Sequence, residues 1–93
     1  MVEYYLSPMA EEDIDEIVTY IAEENQTAAY KFLDSLFGTL DQLAENPYLG
    51  HVREDLTNQP VRFWTFKWHY LIVYRIEKEL EIVRVLSGYR DIT

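Results

Sequence analysis

The chain contains no cysteine, so neither a disulfide framework nor a thiolate metal site is open to it, and an intracellular setting is the simplest reading. Its two histidines, His51 and His69, do not by themselves make a convincing zinc site. We therefore expect no metal and no cofactor. Long apolar runs are missing too: the aliphatic run at residues 71–73 is far too short to span a membrane. The opening, MVEYYLSPMAEED, turns acidic where a signal peptide needs a basic start and a long apolar core. The expected location is the cytoplasm, with no membrane partner. No Gly/Ser linker and no internal repeat interrupts the 93 residues, so one domain over 1–93 is expected.

Positive charge is also scarce. Eight Lys and Arg against seventeen Asp and Glu leave a net charge of −9, which argues against general nucleic-acid binding, since that affinity rests on displacing counterions from phosphates, and no direct sequence-specific nucleic-acid binding is expected. The imbalance is uneven along the chain. Residues 1–50 carry −10, with Lys31 as their single base, whereas residues 51–93 carry +1. Acidic helices and a neutral-to-basic sheet would present different faces to different partners, or simply a solvated acidic surface.

Between these absences the hydrophobic pattern is informative. Residues 2–6 are rich in Val and Tyr and read as a strand. Ser7 then caps a helix with Pro8 in its first turn and Glu11, Glu12 and Asp13 near the positive end of its dipole. Ala10, Ile14, Ile17, Val18, Ile21 and Ala22 form one apolar stripe, the pattern breaks around residues 25–27, and a second stripe follows from Ala29 to Ala44. So short a link predicts an antiparallel helical hairpin. Asn46 and Pro47 end the second helix, and residues 51–60 form a polar connection. Three runs of β-branched and aromatic residues follow at 61–67, 70–76 and 80–86, with gaps too short for a helical crossover, which predicts an antiparallel meander. The expected class is α+β: an N-terminal strand, a helical hairpin and a three-stranded meander in one small sheet, in the order β-α-α-β-β-β. Strict alternation in the last run places Leu80, Ile82, Arg84 and Leu86 on one face, and an arginine among apolar neighbours needs a partner or a ligand.

Four stretches carry a resemblance: LSPMAEEDIDEIVTYIAEEN at 6–25, NPYLG at 46–50 with Arg53 after it, HYLIVYRI at 69–76 and EIVRVLSGYRDI at 81–92. In this order and spacing the whole chain resembles the RelE/ParE superfamily of bacterial toxin–antitoxin toxins, the ParE branch most closely. The resemblance implies a toxin held by a cognate antitoxin in a hetero-oligomer, the antitoxin tail wrapping the toxin. It also implies a target. ParE-like members interfere with DNA gyrase, and RelE-like members cut messenger RNA on the ribosome. Where the RelE branch has an arginine in the strand matching HYLIVY this chain has Leu71, and where that branch continues with a tyrosine this chain stops at Thr93. Arg90 matches a basic position common to both branches. Gyrase inhibition without catalytic residues is therefore the leading expectation; the alternatives are a RelE-like endoribonuclease and an inert antitoxin-binding module.

Candidate contacts follow from charge and pattern. The positive side chains of the late sheet and tail, Arg62, Lys67, Arg75, Arg84 and Arg90, with Tyr89 beside the last, are the candidates for the target. Their plainer reading is cross-strand pairing with Glu77, Glu79 or Glu81, or packing of Tyr89 on the sheet. The helical stripes, represented by Ile14, Ile17, Ile21, Phe32, Leu36 and Leu40, are the candidates for the antitoxin. His69 reads as a turn residue, and Trp64, Phe66 and Trp68 read as core.

Overall fold

A computed structural model of the chain describes residues 3–67 and 69–87. Its elements are β1 (Tyr4–Leu6), α1 (Pro8–Glu24), α2 (Gln26–Glu45), a 3₁₀ turn (Pro47–Leu49), β2 (Arg62–Phe66), β3 (Tyr70–Ile76) and β4 (Leu80–Ser87). The expected α+β order is observed. The four strands form one mixed sheet in the order β1-β4-β3-β2. β2, β3 and β4 make the antiparallel meander, and β1 joins it parallel to β4, with Tyr4 opposite Leu80 and Leu6 opposite Ile82. The two helices supply the long connection that parallel pairing requires.

Ser7 turns the chain from strand to helix. Its backbone N–H continues the ladder to Ile82 O at 2.9 Å, its Oγ accepts the Ala10 N–H at 3.0 Å as an N-cap, and the same hydroxyl donates to Val83 O at 2.8 Å. The break between the helices is narrower than the pattern suggests. Asn25 alone separates them, in an extended conformation; its N–H closes α1 on Ile21 O, and its Oδ1 accepts the Ala28 N–H at 3.0 Å.

The hairpin packs on one face of the sheet. Leu36, Leu40 and Leu43 of α2 meet Ile72, Tyr74, Ile82 and Val85, all nearly or fully buried, and each such aliphatic side chain contributes about 1.5–3 kcal/mol. Phe32 sits edge-on to Phe66 and Tyr70, with ring centroids 5.7 and 5.1 Å apart. Phe66 is thus core, and Trp64 packs against it half-buried; Trp68 lies outside the described residues. A smaller cluster of Val61, Phe63 and Val73 lies apart from this core.

One expectation about β4 needs correcting. The pairing slips between Val73, opposite Arg84, and Tyr74, opposite Ile82, so Val83 is an extra residue in β4. A bulge reverses the alternation beyond it. Val85 follows Leu80 and Ile82 into the core, while Arg84 and Leu86 do not.

The turn after α2 is locked from below. The buried Tyr74 hydroxyl donates to Pro47 O and accepts the Gly50 N–H, both at 2.7 Å. Gly50 is required by this approach, because a Cβ there would lie 2.3 Å from that hydroxyl. Burial pushes the Tyr74 phenol above its ordinary range, partly offset by the Gly50 hydrogen bond.

Candidate partner-binding surfaces

α1 carries seven acids and no base, and its last turn holds Glu23 and Glu24 with no cation, at the end where the helix dipole disfavours negative charge. Of these charges only Asp13 has a packing role, paired with Arg84 on β4, and the apolar stripe does the burying. Between α1, α2 and β1 an open groove of 360 Å³ is lined by Leu6, Ile14, Val18 and Leu33, with Glu11 and Asp15 one turn apart on its rim. Such a groove suits an elongated apolar ridge flanked by positive charge.

Of the six stripe residues proposed for the antitoxin, only Ile14 lines this groove, and it is itself largely buried. Ile17 and Ile21 are half-buried against the core. Phe32, Leu36 and Leu40 keep 4%, 0% and 0% of their surface and belong to the interior. Periodicity identifies the stripe but does not say which of its residues face the sheet. Val18 and Leu33, members of the same two stripes, line the groove at the edge of the core.

The sheet arginines are less available than their charge suggests. Arg75 pairs across the strands with Glu81 at 3.1 Å, as the plainer reading anticipates. Arg84 grips Asp13 of α1 with two hydrogen bonds of 2.7 and 2.9 Å, and Asp13 Oδ2 also accepts the Val85 N–H at 3.0 Å. The reason is topological. Beyond Ile82, β4 has lost β1 as a neighbour, and Ser7 at the N-cap and Asp13 in the second turn of α1 satisfy the backbone of this open edge instead. Asp13 stands 71 residues from Arg84, so only the topology reveals the pair.

Lys67 is exposed at the β2–β3 turn with φ of 51°, and its amine lies 6.0 Å from the Phe66 ring centre. The left-handed conformation costs a non-glycine residue about 1–2 kcal/mol. His69 follows in this turn, as expected. Arg62 lies at the other end of β2, donating to Gly50 O at 2.8 Å with its guanidinium 5.0 Å from the Tyr48 ring centre. The proposed positions Tyr89 and Arg90 lie outside the described residues. Among the described residues no three acids or histidines converge closely enough to hold a metal ion, and no helix is long and apolar enough to cross a membrane.

Comparison with known proteins decides the family. The model of the ParE toxin of type II toxin–antitoxin systems, parDE, matches residues 4–92. The chain belongs to the ParE toxin family. A similar fold is found in a solved chain from the chromosomal ParDE toxin–antitoxin system of P. aeruginosa, with a TM-score of 0.76 and 22% identity over 94% of this chain and 96% of that one. No curated protein matches. On this ParE framework the acidic groove and the cations of the sheet lie on different elements, the groove on α1, α2 and β1 and the cations on β2, β3 and β4.

Proposed function

We propose that this ParE-family toxin inhibits DNA gyrase by direct contact, and that a cognate antitoxin silences it by laying a cationic, apolar segment in the groove between α1 and α2. Membership in a toxin–antitoxin family supports the antitoxin, and the acidic rim of the groove supports the sign of its charge. The observation that carries the target reading is the engagement of Arg75 by Glu81 and of Arg84 by Asp13. Cutting RNA through its 2′-hydroxyl calls for cations converging on one phosphate. Two of the sheet's arginines are already neutralised, which favours a protein target over a ribosomal RNA site. Lys67, with Tyr89 and Arg90, then remains for target contact, while Arg75 ties β3 to β4 and Arg84 ties β4 to α1.

The test is expression without antitoxin, together with purified protein added to a supercoiling reaction and to a translation reaction. The expected result is filamentation, loss of supercoiling or trapping of cleaved DNA, and intact transcripts. Cut transcripts with normal supercoiling would overturn the reading in favour of a RelE-like nuclease. No effect in either reaction, with antitoxin binding retained, would make the chain an inert antitoxin-binding module.

A further inference from the structure

Three of the described arginines face a carboxylate: Arg53 on Asp55, Arg75 on Glu81 and Arg84 on Asp13. Arg62 is held differently. It has a backbone carbonyl, Gly50 O, and the face of Tyr48, and neither neutralises its charge. In a chain with seventeen acids a half-buried arginine held without one is the exception.

Its surroundings are built and rigid. The clamp of Tyr74 on Pro47 and Gly50 fixes the short turn carrying Tyr48 and aims the Gly50 carbonyl at Arg62. Reciprocal backbone hydrogen bonds of 2.8 Å between His51 and Phe63 tie the following residue to β2, and the His51 ring lies stacked 6.5 Å from Trp64. At this corner the protein leaves apolar surface in water: Tyr48 is 69% exposed, and Val52, next to His51, 56%. Tyr, Trp and Arg ringed by apolar surface is the composition of an interface anchor.

We infer that this corner binds an acidic segment of a partner protein, a single Glu or Asp carboxylate taken by the Arg62 fork over Tyr48, with a flanking aliphatic side chain against Val52. A planar guanidinium already oriented by a carbonyl and a ring matches a carboxylate bidentately. The aliphatic flank suits a peptide better than a sugar–phosphate chain, and the net charge of the molecule repels a polyanion. The site is defined by the chemistry of the segment, not by which protein carries it, so it stands apart from the gyrase reading.

The experiment titrates isotopically labelled full-length protein with a capped Ala-Leu-Glu-Leu-Ala peptide, its Gln counterpart and an oligothymidylate. The Glu peptide is expected to shift the Arg62 side-chain Nε–H and the Tyr48 and Gly50 amides saturably, and the Gln peptide to bind about tenfold more weakly. Arg62→Ala should abolish the shifts and Arg62→Lys should weaken them, the variants being checked for folding by their melting curves. Equal binding of the Glu and Gln peptides, no saturable shift at these groups, or stronger binding of the oligothymidylate at the same groups would overturn the inference. The comparison of peptides on the unmodified protein decides it even if a variant does not fold.

Discussion

Tyr74 joins three parts of the chain through one hydroxyl: it projects from β3, accepts from Gly50 and donates to Pro47. Tyr74→Phe keeps the packed ring but strands a buried N–H, so unfolding at neutral pH should be easier by about 1–2 kcal/mol. The pH dependence has a defined sign. Burial raises this phenol above its ordinary value of 10.0, so the folded state holds the proton longer than the unfolded one. The stability that this supplies is complete below that value and lost as pH rises through the folded pKa. Tyr4 and Tyr70 are shifted the same way, chiefly by burial. Denaturant unfolding measured from neutral pH to above pH 10 should therefore show stability falling at the alkaline end, less steeply for Tyr74→Phe than for the parent.

The junction of β1, α1 and β4 is the point where sheet and helix exchange roles. β1 is three residues long, and past Leu6 the N-cap Ser7 and Asp13 in the second turn of α1 take over its hydrogen-bonding duties at the β4 edge. The Asp13 side chain is largely buried, whereas Arg84 keeps about a third of its surface, 33%, so solvent screening tempers the ion pair. Asp13→Ala should cost about 2 kcal/mol, since it removes both the charge partner and the acceptor for Val85 N–H. Arg84→Ala should cost less. In a double-mutant cycle by denaturant unfolding the coupling should be about 1 kcal/mol, and a coupling near zero would show that Asp13 acts through the backbone alone. Arg84, which the alternating pattern placed on an apolar face in need of a partner, thus finds it in α1.

Over the whole molecule, the acids concentrate in residues 1–50 and the bases in residues 51–93. Glu11 and Asp15 on the groove rim lie one helical turn apart, where like charges destabilise an isolated helix slightly. A partner bringing cations removes that cost. Affinity for the cognate antitoxin should accordingly fall by about tenfold or more between low and high salt, within the range where the screening length drops from tens of ångströms to a few. Glu11→Gln with Asp15→Asn should flatten that dependence in the same titration. An affinity that ignores salt would mean that the acidic surface is only solvated.

The amino-acid sequence by itself determined the elements and their order. Ser7–Pro8, the two apolar stripes, the Asn46–Pro47 stop and three β-rich runs are local signals, and local signals need only neighbours in sequence to act. The resemblance of its motifs to the ParE family was legible for the same reason, because those motifs are contiguous. What the tertiary structure decided was everything that depends on approach between distant residues. The parallel docking of β1 on β4, the capture of Arg84 by Asp13 and the clamp of Tyr74 on Gly50 join residues 24 to 76 positions apart, and the slip at Val83 that reverses the faces of β4 is set by its pairing with β3. The same holds for the surfaces. A 3.6-residue period marks which side of a helix is apolar, but only packing against the sheet turns Leu36 and Leu40 into core and leaves Val18 and Leu33 to line a groove.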